Sequence, residues 1–512
     1  MANDQRPPTP EELEEAKRAF DEEAEEHPAD PKSNGQGGPQ QSAPSASSAT
    51  PGKANFSTKP SLHVVPPSEP WQRPGWLPTG EAMVRAAKAR FGAEYLEAGG
   101  QPYHWTGSAW ELDECHLAEN HFSEFCCEVG AFKVKKPVRN KIETGGFVRS
   151  HTARLLAMLS VPINRLDQAP VINTLPATYE QNASGVWVPR PHQREDYCTK
   201  ITAVAPIAGS LAMWLGFLDT IMEGDREMID YLQRVAGYIL SPWTREQVFW
   251  FFYGSGGNGK GTFLRTLAHI FGTGPTGYAA TASLDLFLAT PFEKHPEELA
   301  ALRAVRLLMC TETEKGRSWN ETKIKALTGG DPIRCHFMRQ NSFEYVPQFK
   351  PVIAGNNKPT IKSVDEAMAR RLQLVPFNKR VQADPTFEAR MLASEAPAIL
   401  AWVFEGVAEY CKDGLSPPDK VIAASTEYLE EQDENAQWRD ERCELAPDHW
   451  LFSSEGFRDW SEWCKGRGLR AGQIKQFVET LKKAGFELDH KRNGNGFYGL
   501  ALKKIESGYR DE

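Results

Sequence analysis

Residues 251–263 read FFYGSGGNGKGTF, in which an apolar run leads into a glycine-rich turn and then into a helical pattern. A buried strand, such a turn and a helix together surround an anion with backbone N–H groups and a helix N-terminus. The turn ends in Gly259-Lys260, and the lysine adds a point charge for the β- and γ-phosphates of a nucleotide. We therefore predict a nucleotide-binding loop of nine residues: Gly254, Ser255, Gly256, Gly257, Asn258, Gly259, Lys260, Gly261 and Thr262.

One position departs from the phosphate-loop motif. G-x-x-x-x-G-K is usually followed by a Ser or Thr hydroxyl that binds Mg²⁺, whereas here Gly261 takes that place and the hydroxyl follows at Thr262. One helical residue is a rotation of about 100°, so Thr262 points away from the usual direction. It could contact the α-phosphate, which would leave Mg²⁺ to water and a carboxylate. The departure lowers the support for Thr262 as a metal ligand and leaves phosphate binding unchanged.

Polar residues follow two further apolar runs. VRLLMCT (305–311) predicts a buried strand, and Glu312 and Glu314 come directly after it. One carboxylate can hold Mg²⁺ and the other can orient the attacking water, because phosphoryl transfer depends mainly on positioning and electrostatics. FKPVIAG (349–355) predicts another strand with Asn356 at its tip, where an amide can hydrogen-bond the water or the γ-phosphate. Taken alone, this asparagine is only a turn signal.

Basic side chains occur in two segments that suit nucleic acid. In the first, TGGD predicts a turn and residues 333–343 a hairpin, with basic residues between Phe337 and Phe343, as a single strand would require. A plain surface hairpin would look the same. In the second, two helical patterns precede a hairpin joined at Asn493-Gly494, which predicts a winged helix. The candidate DNA contacts are Lys325, Arg334, His336 and Arg339 in the first segment, and Lys475, Lys482, Lys483, Lys491 and Arg492 in the second.

The formal net charge of −9 is unevenly distributed. Residues 9–30 hold ten carboxylates against Lys17 and Arg18, whereas residues 465–504 hold ten Lys and Arg against three carboxylates. The acidic head is a solvated tail or a helix that docks on a partner. The basic segment favours duplex DNA through phosphate contacts, although lysines on a helix face are also common for solubility.

Cysteine usage and hydropathy indicate the compartment. The nine cysteines form no C-x-x-C pair, which is typical of a reducing cytosol. We find no signal peptide and no uninterrupted apolar run of membrane length. We therefore expect a cytoplasmic protein that does not engage a membrane.

One cluster of soft ligands requires a separate test. Cys115, His116, His121, Cys126 and Cys127 lie within thirteen residues and could hold Zn²⁺. Their spacing matches no common zinc pattern, and the two adjacent cysteines would point apart on a helix. Buried structural cysteines are the favoured interpretation.

Taken together, the motifs resemble a known family. GSGGNGKGTF, LLMCTETEKG, KALTGGDPIRCHFMRQNSFEYVPQFK, AGNNKP and DEAMARRLQLVPF are similar, in order and spacing, to the superfamily 3 helicase domain. More narrowly, they resemble the phage and plasmid primase–helicases whose relatives include the poxvirus primase–helicase. The resemblance implies an AAA+-like homo-hexameric ring that hydrolyses ATP with Mg²⁺ and translocates on single-stranded DNA, with an expected 3′ to 5′ polarity.

The resemblance also implies roles for individual residues. Lys260 binds the triphosphate, Glu312 is the Walker B acid and magnesium ligand ahead of Glu314, and Asn356 is the sensor, with Asn357 leaving that assignment uncertain by one position. The arginine finger would be Arg370 or Arg371, which are adjacent in the segment DEAMARRLQLVPF. The arginine pair could instead form structural ion pairs.

The predicted fold class is α/β, with an AAA+-like P-loop core on a parallel sheet, a helix-rich domain before it and a C-terminal winged-helix domain. The predicted regions are a disordered acidic, low-complexity tail (1–72), an N-terminal α+β domain (76–200), a helical collar region (201–244), the superfamily 3 ATPase core (245–400) and a C-terminal helical and winged-helix domain (401–512).

The predicted function is an ATP-dependent DNA helicase for phage, prophage or plasmid replication in a bacterial host, acting on single-stranded and forked DNA. No D-x-D pair occurs, so a primase active site is not supported in this chain, and a separate primase could dock on the acidic tail. The alternatives are an ATP-binding replication initiator that unwinds little, and a P-loop kinase of a small substrate. The kinase leaves the basic C-terminal segment and the paired arginines unexplained.

Overall fold

The computed structural model describes residues 69–73, 75–132, 134–290, 296–311, 317–338, 341–361 and 366–503. Residues 1–68 of the predicted tail lie outside this part. The remainder of that prediction is wrong, because Pro70–Gln72 forms a 3₁₀ turn. Its Trp71 is buried, with its ring 4.9 Å from that of Phe125, so apolar burial already starts before residue 73.

The N-terminal region contains four helices and two small sheets. Its helices are α1 (Gly80–Phe91), α2 (Leu117–Ala131), α3 (Lys136–Ile142) and α4 (Gly145–Ala157). The first sheet has the order β3–β2–β1–β4, with strands β1 (Tyr95–Ala98), β2 (Gln101–Trp105), β3 (Trp110–Leu112) and β4 (Ser160–Val161). The second sheet contains β5 (Ile172–Asn173), β6 (Thr178–Gln181) and β7 (Trp187–Arg190). Strands β2 and β3 pair antiparallel as a hairpin, with Trp105 opposite Trp110.

Two helices connect this region to the central sheet. They are α5 (Ala212–Ile221) and α6 (Arg226–Leu240), within the region predicted to be helical. Helix α6 begins where the Asp225 side chain accepts the Met228 N–H. Its apolar positions are buried along most of its length, so α6 is a core helix.

The central sheet has five parallel strands in the order β14–β8–β13–β10–β9. The strands are β8 (Phe249–Tyr253), β9 (Ala279–Thr281), β10 (Leu307–Thr311), β13 (Lys350–Gly355) and β14 (Leu372–Pro376). A small antiparallel hairpin, β11 (Ile333–Cys335) and β12 (Phe343–Tyr345), lies between β10 and β13 in the chain. The three apolar runs predicted as buried strands are confirmed as β8, β10 and β13.

Helices cover both faces of this sheet, as a parallel sheet requires. They include α7 (Lys260–Phe271), α8 (Pro296–Ala301), α9 (Glu321–Thr328), α10 (Glu366–Ala369) and α11 (Phe387–Asp413). Side chains of β8 alternate between the two cores: Trp250 and Phe252 face one, and Phe249 and Phe251 the other.

Helix α11 crosses the predicted boundary at residue 400 without a break. By length and composition alone it could span a membrane. Its apolar residues instead belong to the main core and include Met391, Ile399, Leu400, Trp402, Val403 and Val407. The boundary between the predicted ATPase core and C-terminal domain is therefore misplaced, since α11 belongs to the core.

The chain then forms a smaller module with its own apolar cluster. Helix α12 (Asp419–Gln432) still packs on β14 of the central sheet. The elements of the module follow it: α13 (Glu434–Arg442), β15 (Cys443–Phe452), α14 (Ser453–Gly466), α15 (Ile474–Lys483), β16 (Leu488–Lys491) and β17 (Gly494–Leu502). The two helices and the hairpin are confirmed. Lys491 pairs with Gly494, so the turn lies one residue earlier than predicted. Strand β15, which completes the sheet β15–β17–β16, was not predicted.

Candidate nucleotide-binding site

The glycine-rich turn connects β8 to α7 at the carboxyl end of the central sheet. Gly259 is the residue before the helix and has φ +85°, in the left-handed region that favours glycine. A Cβ at this position would lie 2.6 Å from Ile221 Cγ2, and a Cβ on Gly254 would lie 2.2 Å from the Phe377 carbonyl oxygen. The loop therefore needs glycine at both ends because neighbouring groups approach its backbone closely.

The Lys260 side chain is folded into this loop and is 6% exposed. Its Nζ donates to the Gly254 carbonyl (2.9 Å), Asn258 Oδ1 (3.0 Å) and Asn356 Oδ1 (3.4 Å). All three acceptors are uncharged, and burial lowers the pKa of the lysine. A phosphate entering the loop would supply the negative charge that these oxygens lack.

The structure brings Asn356 to the lysine, a contact that the sequence did not predict. Strands β13 and β8 are parallel neighbours with Gly355 opposite Tyr253, so their carboxyl ends meet at one edge. The amide of Asn356 lies 3.9 Å from a Cβ built on Gly256, at the side of the loop nearest β13. The contact to Lys260 is made by Asn356, the first of the two asparagines.

The predicted metal ligands are only partly described. Glu312 and Glu314 lie outside the described residues, although β10, which precedes them, neighbours β13 with Thr311 opposite Ala354. The Thr262 hydroxyl lies 3.4 Å from a guanidinium nitrogen of Arg265. Within the described ranges, no three His, Cys, Asp or Glu side chains are grouped closely enough to hold a metal ion.

Three residues of the soft-ligand cluster, His121, Cys126 and Cys127, lie on α2 (Leu117–Ala131). Cys115 and Cys127 are exposed, so the expectation of buried cysteines is wrong for these two. Cys126 is fully buried, and burial raises the pKa of its thiol to about 12. His121 Nδ1 lies 2.7 Å from the Tyr95 hydroxyl.

The two candidate finger arginines differ in environment. Arg371 is 5% exposed and donates to Thr328 Oγ1, the Ala367 carbonyl and Gln247 Oε1. Its guanidinium is therefore used inside its own subunit, and the finger role does not suit it. Arg370 is exposed and becomes the candidate that can reach a neighbour.

A segment after β14, residues 377–387, lies against the phosphate loop and was not predicted. We call it the strap. Asn258 Nδ2 donates to the Phe377 carbonyl and the Val381 N–H donates to the Gly257 carbonyl, both at 2.7 Å. A Cβ built on Gly257 would lie 3.8 Å from the Arg380 side chain. The available signal was the basic stretch FNKR at the end of an apolar strand.

A cavity of about 580 Å³ adjoins the loop. Helix α5 forms one wall, residues 381–387 of the strap form another, and Gly257, Gly259 and Thr262 form the floor. Ring centroids of Phe217 and Phe387 lie 5.8 Å apart at its side. The cavity is large enough for a nucleoside and opens directly onto the predicted phosphate position.

The hairpin predicted from residue 333 is present as the β11–β12 pair, and its contact with DNA stays a prediction. Arg334 is exposed opposite Glu344, and Phe337 stacks on Phe343 with ring centroids 5.6 Å apart. Lys325 on α9 and His336 are half-buried, and Arg339 lies outside the described residues.

The predicted basic residues of the C-terminal module are all exposed: Lys475, Lys482, Lys483, Lys491 and Arg492. They differ in their contacts. Lys482 pairs with Glu479 at 3.4 Å, and Lys491 Nζ lies 4.0 Å from the Trp450 ring centroid and 4.9 Å from that of Tyr498. Lys491 and the two rings form an exposed cation–π group on the sheet face opposite the module core.

Comparisons with known proteins agree with these features. Residues 80–223 match a family described as D5 N terminal like, and residues 252–371 match a family of unknown function, DUF5906. The chain is 27% identical over 241 residues to a putative helicase of Acanthamoeba polyphaga mimivirus, covering 43% of this chain and 24% of the relative. It is 25% identical over 304 residues to a putative helicase of Frog virus 3 (isolate Goorha), covering 53% of this chain and 30% of the relative.

The matched stretches thus span a quarter to a third of these viral relatives. Among solved structures, two apo forms of the NrS-1 C-terminal region are similar: one at TM-score 0.41 and 12% identity, covering 69% of this chain and 79% of that chain, and one at 0.40 and 11%, covering 81% and 98%. The D5 N-terminal-like match and the viral putative helicases support the resemblance of this chain to phage and viral primase–helicases.

Proposed function

We propose that the chain is an ATP-dependent DNA helicase that works in replication as a homo-hexameric ring. One observation carries the proposal: Lys260 and Asn356 meet on a glycine loop at the carboxyl edge of a parallel sheet. Ligands of open α/β sheets bind outside the carboxyl ends of the strands. Among the described residues, the acceptors of this buried lysine are uncharged oxygens, which suits a triphosphate at this edge.

In this proposal, each residue of the site contacts a different part of the nucleotide. Backbone N–H groups and the start of α7 hold the β-phosphate, and Lys260 moves from its three oxygens to the β- and γ-phosphates. Asn356 orients the γ-phosphate or the attacking water. Glu312, with Glu314 as second candidate, would hold Mg²⁺, which neutralises charge on the phosphates when it is bound. Arg370 would reach the γ-phosphate of a neighbouring subunit.

DNA would use two surfaces in this proposal. The β11–β12 hairpin offers Arg334 and the Phe337–Phe343 stack to a single strand, since stacking tolerates any base. The C-terminal module offers exposed lysines to duplex phosphates at a fork. The direction of travel proposed is 3′ to 5′.

An origin-binding initiator with little unwinding is the second candidate. The observation that favours it is the separate apolar cluster of the C-terminal module, which could bind duplex DNA independently of the ATPase core. Strand displacement on a forked substrate separates the two, because only the helicase should release a strand at a rate set by ATP.

The test is ATP hydrolysis by the purified protein, with and without single-stranded DNA, beside Lys260→Ala. We expect turnover to rise with DNA and to fall at least a hundredfold in the variant, as for loss of a main transition-state cation. Lys379→Ala is the matched control, because that lysine pairs with Glu223 at 3.5 Å and its loss should leave turnover unchanged. Turnover that ignores both DNA and Lys260→Ala would overturn the proposal.

A further inference from the structure

The strap is fixed to the phosphate loop at two points. The Asn258 amide bonds the Phe377 carbonyl, and the Gly257 carbonyl accepts the Val381 N–H. The Phe377 N–H in turn donates to the Tyr253 carbonyl, at the end of β8. The loop and the strap therefore share one backbone frame, which fixes the backbone of the strap relative to the loop.

Arg380 lies in this frame, beside Gly257 of the loop. A Cβ built on Gly257 would be 3.8 Å from both Cγ and Nε of Arg380. The side chain is exposed and makes no hydrogen bond or ion pair with the residues that the structure describes. Its neighbour Lys379 is turned toward Glu223 and forms an ion pair there. Of these two adjacent cations, Arg380 lies against the loop at Gly257, whereas Lys379 pairs with Glu223.

The loop itself has two distinguishable ends. The end at Gly256 lies beside the Asn356 amide. The other end, at Gly257 and Gly259, opens into the cavity between α5 and the strap. A nucleotide with its γ-phosphate at Asn356 would have its nucleoside in the cavity, and Arg380 would lie beside the α- and β-phosphates.

We propose that Arg380 is a second cationic ligand of the nucleotide, holding the α- and β-phosphates while the adjoining cavity takes the nucleoside. This inference rests on the proposed nucleotide site. It assigns nucleoside di- and triphosphates as the ligands of that site, and Arg380 contributes almost equally to the affinity for both. A guanidinium suits the position because its planar fork can bond two phosphate oxygens at once. Arg380 acts on groups that ATP and ADP share, so it contributes to nucleotide affinity and not to the hydrolytic step.

The experiment is calorimetric titration of the full chain with ADP and with a non-hydrolysable ATP analogue, using Arg380→Ala, Arg380→Lys and the control Lys379→Ala. Loss of a charge-assisted contact predicts a rise in Kd of about tenfold for both nucleotides in Arg380→Ala. Arg380→Lys should recover part of the loss, and Lys379→Ala none. In steady-state hydrolysis the KM for ATP should rise in Arg380→Ala, while kcat at saturation stays unchanged.

The outcomes separate this inference from the proposed function. One outcome is that the wild-type chain binds ADP, that Lys260→Ala weakens this binding, and that Arg380→Ala does not. In that case the inference about Arg380 fails, while the proposed nucleotide site stands. A lowered Tm of ligand-free Arg380→Ala, without rescue by lysine, would also overturn it, because the residue would then only support the strap. If the wild-type chain binds neither nucleotide, both proposals fail.

Discussion

The two ends of the central sheet both bury positive charges, and they use them differently. At the amino end, cations precede or begin three strands: Arg306 before β10, Lys350 in β13 and Arg371 before β14. At the carboxyl end, Lys260 begins the helix after β8. Burial lowers the pKa of both lysines, so burial alone does not tell a structural cation from a ligand-binding one.

The partners make the distinction. Lys350 Nζ donates to the carbonyls of Ile239 (3.2 Å) and Ser241 (2.5 Å), and Arg306 donates to the Leu240 carbonyl at 2.7 Å. These oxygens end helix α6, where the helix dipole favours positive charge. Helix α6 itself has no N–H group that could donate to these carbonyl oxygens, because the last carbonyls of a helix have no partner within it. Lys260 instead bonds a loop carbonyl and two side-chain amides beside an open cavity, and a phosphate can replace all three.

The sharpest way to break this comparison is to remove each lysine in turn. Lys350→Met should lower the free energy of unfolding by about 3 kcal/mol, because it leaves buried carbonyls without donors. Lys260→Met should change it by less than about 1 kcal/mol while abolishing nucleotide binding. Urea unfolding and ADP titration of both variants measure the two effects. Equal losses of stability in the two variants would show that Lys350 and Lys260 do not differ in their structural role.

The arginine pair extends the comparison with a smaller effect. Arg371→Met removes three internal hydrogen bonds and should cost about 2 kcal/mol of unfolding free energy. Arg370→Met is the matched control on an exposed neighbour and should cost less than about 0.5 kcal/mol. If Arg370 is the finger, its variant alone should lose DNA-stimulated hydrolysis at unchanged stability. A hydrolysis defect confined to Arg371→Met with normal unfolding would reverse the assignment.

The smallest effect is a pH dependence at the amino end. Burial, with a contribution from Arg306, holds the pKa of Lys350 well below its ordinary value in the folded chain. Above that folded pKa and below the unfolded value of about 10.4, the unfolded chain binds a proton that the folded chain lacks. Stability from this group therefore rises with pH, by at most about 1.4 kcal/mol per unit. The advantage of wild type over Lys350→Met should grow as the pH rises from the folded pKa toward the unfolded one, and a shrinking advantage would contradict the assignment.

The sequence predicts most of the sheet and the core of the site, for local reasons. Apolar runs mark β8, β10 and β13, and the glycine spacing marks the loop because only glycine tolerates its crowded backbone. The Asn-Gly pair predicts the terminal hairpin to within one residue.

What it misses depends on contacts between distant residues. Lys350 and Arg306 stand at the edges of apolar runs, and their partners lie on α6 and in the N-terminal region more than sixty residues away. The strap reads as an ordinary loop until its two hydrogen bonds to the phosphate loop are seen. The predicted domain boundary at residue 400 falls inside helix α11, because composition does not reveal that the whole helix packs into one core.

Helix α5 has a consequence for how this chain can be divided. Phe217 and Ile221 support the backbone at Gly259, while Glu395 of α11 accepts the N–H groups of Met213 and Trp214 at 2.9 and 2.8 Å. A fragment beginning at residue 245 would keep every residue of the glycine loop and lose the helix on which it rests. A piece that keeps the proposed nucleotide site together with its supporting helix therefore begins before residue 212 and extends beyond Glu395, and it includes residues of both matched families.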